Sequence, residues 1–298
     1  MILNNKAKGI LCILSAAFFF TLMNMFIRLS GDLPSIEKAF FRNFIAFLFA
    51  LVIILKEKAS VKPHKEIFIF VFLRAATGTL GVICNFYAVD HLALSDASML
   101  NKMSPFFAIL LSYFFLKEKI TPIQVCAVIA AFIGCLLVIK PSFSNIDFVP
   151  SVIGFIGGLG AGAAYTCIRH LSKKGVKGPV IVFYFTVFSS LITLLPMILN
   201  FKMFTPIQFI FLILIGFTAA LGQFSITAAY SFAPAGEISV YDYSQVIFSA
   251  IVGFFVFTQL PDGLSFLGYI IIISMAVFMF FYKPKSKQLK EIPQESNS

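Results

Sequence analysis

Ten runs of mostly apolar residues follow one another along the chain, at roughly 9–29, 34–55, 66–89, 94–116, 120–140, 148–169, 178–201, 206–230, 236–258 and 263–282. A helix of about twenty such residues spans the hydrocarbon of a bilayer, and helices satisfy their backbone polar groups internally. This predicts an all-α integral membrane protein with ten transmembrane helices. Composition points the same way. Only 12% of the residues are charged and 59% are hydrophobic, against about 25% charged in soluble domains. Lys6 and Lys8 ahead of GILCILSAAFFFTLMNMFI have the charge order of a signal peptide. The run is too long for one and no A-x-A pattern follows it, so it reads as an uncleaved first span.

The net charge of +10 does not point to nucleic acid, because the basic residues fall in short clusters between apolar runs and build no basic face. Their distribution sets an orientation instead. With the N-terminus inside, the cytoplasmic side collects Lys6, Lys8, Lys56, Lys58, Lys62, Lys65, Lys117, Lys119, Arg169, Lys173, Lys174, Lys177, Lys283, Lys285, Lys287 and Lys290, sixteen in all. The other side holds four, Arg28, Lys38, Lys140 and Lys202. Both termini are therefore expected in the cytoplasm, and 283–298 reads as a disordered cytoplasmic tail.

Catalytic chemistry finds no support. Cys12, Cys84, Cys126, Cys135 and Cys167 lie inside apolar runs and form no CxxC or Cys/His cluster, so they read as packing residues, without disulfide or metal. His64, His91 and His170 are in or near loops and belong to no HExxH. No GxSG nucleophile and no phosphate-binding GxxxxGK[ST] loop is present, so neither an enzyme nor an ATP-driven machine is expected, and no cofactor. Tyr241–Asp242 resembles half of an intramembrane aspartyl protease, but that chemistry needs a second carboxylate and its GxGD motif is missing.

The chain also repeats itself weakly. ALSDASMLNKMSPFFAILLSYFFLKEKIT, from Ala93, aligns without a gap on APAGEISVYDYSQVIFSAIVGFFVFTQLP, from Ala233, at a constant offset of 140. Ala88 and Ala228, Ser104 and Ser244, and two Phe pairs coincide. This matches the fourth span to the ninth and implies duplication of a five-helix unit. Five is odd, so the second copy crosses the membrane upside down, the architecture of many secondary transporters. The expected units are 1–140 and 148–282, joined by PSFSNID.

The Tyr87–Ala88 pair, Ser104–Pro105, the following Glu118, Arg42 in FFRNFIAFL and GAAYTCIRHL at 162–171 together resemble the EamA-type domain of the drug/metabolite transporter superfamily. The resemblance implies ten helices in two inverted repeats and transport of a small solute. The second half departs from it, with Gln245 where the first has Pro105 and Thr258 where it has Glu118.

Charges inside a bilayer cost about 2.5–3.5 kcal/mol each on insertion scales and normally face a cavity or a partner. Arg42 and Arg74 either snorkel or clamp helix-end carbonyls, or they attract an anionic group of the solute; of the two, Arg74 is the stronger candidate for binding. Lys102 and Asp242 occupy the same position in the two copies. They are either a structural ion pair or a substrate or proton site near the midplane. Asn101, Tyr241, Tyr243 and Gln245 surround them, and Asn85, Tyr87, Tyr165 and Gln223 are candidate lining groups on other helices. Glu118 is the candidate gating residue. GFIGGLGAG, Gly154–Gly162, offers GxxxG spacings for close helix packing.

The expectation is a secondary transporter in the inner membrane, working by alternating access with coupling to protons and moving a small polar or zwitterionic, amino-acid-like metabolite. Its partners are the solute and the lipid bilayer, and it acts as a monomer or weak dimer. Arg74 with SDAS faintly resembles members that take up S-adenosylmethionine, so that or a nucleotide-like metabolite is the alternative. A lipid flippase or a non-transporting membrane scaffold is the alternative of another class.

Overall fold

The structure, a computed structural model, describes residues 4–58, 65–92, 94–141, 147–258 and 260–282. The expected tail at 283–298, and most of the join between the two halves, lie outside the described residues. The described residues form α1 (Asn5–Leu29), α2 (Ser35–Glu57), α3 (Lys65–His91), α4 (Leu94–Asn101), α5 (Ser104–Leu116), α6 (Pro122–Ile139), α7 (Phe148–Lys173), α8 (Gly178–Leu199), α9 (Pro206–Phe232), α10 (Ala235–Ile238), a 3-10 turn at Ser239–Tyr243, α11 (Ser244–Phe257) and α12 (Gly263–Phe281). Together they make ten stretches long and apolar enough to cross a membrane.

Local chemistry fixes several span ends. Asn4 caps α1 by accepting from the Ala7 amide at 2.8 Å. The same Thr-Pro-Ile-Gln sequence opens α6 and α9, and each copy forms a complete capping box, Thr121 with Gln124 and Thr205 with Gln208. Proline at the first helical position fits both starts, because its missing amide hydrogen would have no partner there. Lys6 at the start of α1 donates from Nζ to the Met279, Phe280 and Tyr282 carbonyls. The beginning of α1 and the end of α12 therefore share one face, called here the terminal face.

One sequence expectation needs correction. The runs 94–116 and 236–258 are not continuous helices: the first breaks at Lys102–Met103 and the second passes through the 3-10 turn. Pro105 explains the first break, since it has no amide hydrogen to give to the preceding turn.

Packing follows the duplication. α1 lies on α9 and α7 lies on α3, the same pairing with the halves exchanged, while α2 faces α8 and α6 faces α12. Elements of each half thus find their main partner in the other, or pack as the inverted image of that contact. Gly134 and Gly268 let α6 and α12 approach backbone to backbone, and much of α12 points outward with exposed Phe266, Ile270, Ile273 and Val277. In α7, Gly158 and Gly162 admit the broken span. A Cβ on Gly158 would sit 2.5 Å from the Leu100 carbonyl oxygen, and one on Gly162 would sit 2.9 Å from that of Ser104. The glycine run of α7 is a packing surface, as its spacing suggests.

Candidate functional site

A helix break inside a membrane frees main-chain groups that must find other partners. Here the two breaks partner each other. Lys102 Nζ donates to Gln245 Oε1 at 2.6 Å, to Asp242 Oδ2 at 3.1 Å and to the Asp242 carbonyl at 3.2 Å, which uses all three ammonium hydrogens. Tyr243 Oη returns a hydrogen bond to the Lys102 carbonyl at 3.2 Å. The side chains of Lys102 and Asp242 are each 9% exposed. The position that carries Pro105 in the first copy carries Gln245 in the second. Proline opens one helix, and glutamine accepts the charge presented by the other.

Around this pair stand two aromatic side chains. Tyr165 of α7 stacks on Tyr230 of α9 with ring centres 4.8 Å apart, and Tyr230 Oη lies 3.3 Å from Ser239 Oγ. Phe185 joins the two arginines, since it lies beneath the Arg74 guanidinium and lines the crevice beside Arg42.

Both arginines are buried, Arg42 at 8% and Arg74 at 2% exposure. Neither snorkels, and neither clamps a helix-end carbonyl among the described residues. Arg42 Nη1 donates to Asn43 Oδ1 at 3.1 Å, and Asn43 Nδ2 donates to Ser189 Oγ at 2.8 Å. The Arg74 guanidinium lies 4.2 Å from the centre of the Phe185 ring, and its Nε and Nη1 have no hydrogen-bond partner. Gly78, one turn on from Arg74, leaves it room, because a Cβ there would collide with Nη1. Arg42, Asn43, Phe185, Thr186 and Gln223, among others, line a crevice too tight to admit a water molecule. Gln223 Nε2 donates to Thr227 Oγ1 at 3.3 Å.

The other candidates are less engaged. Tyr241 is buried near Glu237, with its hydroxyl unpartnered. Asn101, half-buried, sits just before the break, and Asn85, also half-buried, lies on α3. Tyr87 stacks on His91 with ring centres 4.0 Å apart near the end of α3 and joins neither cluster.

Glu118 lies on the terminal face and closes it across the repeats. Its Oε1 accepts from Arg169 Nε at 2.9 Å and from Lys173 Nζ at 2.6 Å, while Arg169 Nη1 donates to the Ser231 carbonyl at 3.0 Å. The ends of α5, α7 and α9 are thereby tied together. The opposite face is fastened differently. Arg28 lies 4.3 Å from the centre of the Phe257 ring, and Lys140 pairs with Asp262. The Lys140 ammonium, with the Ser265 amide and hydroxyl, holds the Asp262 carboxyl down to about 2. Sequence reasoning missed Arg169 as the partner of Glu118 and Phe185 as the platform for Arg74. Only the GAAYTCIRHL resemblance touched the first, and no signal marked the second among 39 phenylalanines. Among the described residues no cluster of His, Cys, Asp and Glu could hold a metal.

Residues 7–140 match the model of the EamA-like transporter family. The pseudopaline exporter CntI of Pseudomonas aeruginosa is 32% identical over 92% of this chain and 96% of its own. A protein of Rickettsia bellii named S-adenosylmethionine uptake transporter is 24% identical over 88% of this chain and 89% of its own. A solved crystal structure superposes on 95% of this chain and 99% of its own with a TM-score of 0.81 at 13% identity, which shows a common fold. With two inverted sets of five spans, interlocked breaks at their equivalent positions and a relative this similar along nearly its whole length, the chain belongs to the EamA-like transporter family, a multi-pass membrane transporter rather than an enzyme.

Proposed function

We propose that the chain is a secondary transporter of a small polar or zwitterionic, amino-acid-like metabolite, working by alternating access and coupled to protons through Asp242. One observation carries this reading: the Lys102–Asp242 pair joins the breaks of the two repeats, where a rocking motion of one half against the other would separate it. Separation strands a buried carboxylate, and a proton relieves it. An amine or carboxylate of the solute could enter between the partners instead. Glu118 with Arg169 and Lys173 acts as the gate of the terminal face, closed in this conformation. The sixteen-to-four division of Lys and Arg supports placing that face in the cytoplasm and the protein in the inner membrane. The protein works as a monomer or weak dimer, its two repeats bounded as 1–140 and 148–282.

S-adenosylmethionine uptake is the second reading, supported by the name of the Rickettsia relative. Two buried, unneutralised arginines work against it, since the sulfonium of that solute is itself a cation. The test is exchange of isotope-labelled cell metabolites by proteoliposomes, scored by mass spectrometry. Accumulation of a labelled amino-acid-like metabolite that follows an imposed pH gradient supports the proposal. Release of no metabolite above empty vesicles would return the chain to the flippase or scaffold class.

A further inference from the structure

We infer that the gap between α5 and α6 seats an acyl chain of one anionic phospholipid, whose headgroup is held at the terminal face by Lys117 and Lys119. The inference goes beyond solute transport and concerns the lipid-facing side of the bundle.

The gap arises from the partners the two helices take. α5 ends at Leu116 and α6 begins at Pro122, so a short turn joins them. They nevertheless barely touch, because α5 lies on α7 and α6 lies on α12. The space left between them, about 200 Å³, is lined by Phe106, Phe107, Ile109 and Leu110 of α5 and by Val125 and Val128 of α6. Leu110 and Val125 are exposed at its edge, while Ile109 and Val128 are buried at its back. All six are apolar, so water finds no hydrogen-bond partner among them. An empty gap forfeits dispersion contacts along its walls. The material beside the flank of a membrane-spanning bundle is lipid hydrocarbon, which fills it.

Depth agrees with a chain hanging from the terminal face. At a rise of about 1.5 Å per residue, Val125 and Val128 lie about 5 and 9 Å inside the start of α6. By the same measure Leu110 and Phe106 lie about 9 and 15 Å before the end of α5. The gap thus runs along about 15 Å beneath that face, the hydrocarbon depth of one leaflet.

Charge names the headgroup. Glu118 engages Arg169 and Lys173, whereas Lys117 and Lys119 on either side of it are exposed. Among the described residues neither lysine forms an ion pair. Both stand in the turn that joins the two walls of the gap, where two ammonium groups suit an anionic lipid phosphate. A second copy packed here about a two-fold axis would set the same lysines against these, which is repulsive.

The back of the gap leads to the interlocked breaks. Phe106 packs edge-on against Phe132 with ring centres 5.0 Å apart, and Phe132 lies 6.2 Å from Tyr243, whose hydroxyl donates to the Lys102 carbonyl. A seated acyl chain therefore braces the wall behind which the two repeats meet, and its loss should lower stability.

The experiment uses the purified full chain in detergent, with phosphatidylglycerol and phosphatidylcholine of identical acyl chains as probes. Native mass spectrometry counts bound lipid, and thermal stability is followed by loss of the monodisperse peak. Wild type should retain one phosphatidylglycerol per chain and be stabilised by it, with phosphatidylcholine much less effective. Lys117→Gln/Lys119→Gln should weaken phosphatidylglycerol retention about twentyfold or more, since each basic group near an anionic lipid surface is worth about fivefold. Its lipid-free stability should equal that of wild type. Val125→Phe fills the gap from its exposed edge and should abolish both retention and stabilisation; should it fail to fold, the exposed lysine pair decides alone. Equal retention of the two lipids by wild type would overturn the inference, as would phosphatidylglycerol retention unchanged in either folded variant. A lipid-free dimer that Val125→Phe turns into a monomer would overturn it too, and would assign the gap to a second copy.

Discussion

Removing the Lys102 side chain is the sharpest structural test of the interlocked breaks. Lys102→Ala takes the donor away from Asp242 Oδ2, the Asp242 carbonyl and Gln245 Oε1 at once, and leaves a carboxylate whose side chain is 9% exposed without its counter-charge. Breaking a buried pair by deleting one partner costs about 3–5 kcal/mol. The residual exposure on both sides places this case near the lower end, at about 3 kcal/mol. Asp242→Asn is milder. Lys102 keeps Gln245 Oε1 and the residue 242 carbonyl, and the amide oxygen replaces Oδ2, so the loss is that of one charge-assisted bond, about 1–3 kcal/mol. The double variant Lys102→Ala/Asp242→Asn buries no lone charge and should be no worse than Lys102→Ala alone. The cycle then gives a coupling energy of about 1 kcal/mol or more in favour of the pair. Stability against denaturing detergent in mixed micelles, read by loss of helicity, measures all four corners. Additivity within about 0.5 kcal/mol would refute the reasoning, because it would mean that neither charge depends on the other.

Glu118→Gln should loosen the terminal face by about 1–3 kcal/mol, the worth of hydrogen bonds to a charged group, and favour its opening about tenfold or more. Labelling of the half-buried Cys167 by a membrane-impermeant maleimide from that face should then accelerate, and an unchanged rate would contradict the gate. Gly158→Leu should collapse the packing of α7 on the broken span, because even a Cβ has no room against the Leu100 carbonyl; folding yield after detergent extraction reads the loss. On the opposite face, Asp262 is held below the ordinary carboxylate value of 3.8, so its contribution is present above that value and disappears as the pH falls towards about 2. Its carboxylate resonance, followed by NMR, should titrate only in that acid range, and Lys140→Ala should move the transition upward. In a cysteine-free background, Lys174→Cys should react from the cytoplasm and Met203→Cys from outside; the reverse pattern would invert the proposed topology.

Much of the fold is legible in the sequence because a bilayer accepts so few solutions. Apolar runs alone place all ten spans within a few residues of their helices, α2 at 34–55 against Ser35–Glu57 and α9 at 206–230 against Pro206–Phe232. Continuity of the same runs hides the breaks. Hydropathy does not distinguish a helix from a 3-10 turn, and SVYDYSQ carries no proline to announce one. The Lys102–Asp242 pair is legible for another reason: duplication puts opposite charges at matching positions, and each would be costly alone. Tyr165 appears in the sequence as one of several polar candidates, but its stacking on Tyr230 depends on how α7 packs, which no local pattern encodes. Arg169 follows the same logic. It looks like a loop-edge basic residue until α5 and α9 end beside it.

The most direct test of the account is pH-gradient-driven accumulation of labelled metabolites in proteoliposomes, with wild type and Asp242→Asn side by side. The account predicts that wild type concentrates its solute in proportion to the imposed gradient. Asp242→Asn, folded and monodisperse, should show no gradient-driven accumulation at any pH. Equal accumulation by both proteins across the pH range would contradict it, and would leave Asp242 as no more than a structural tie between the two broken helices.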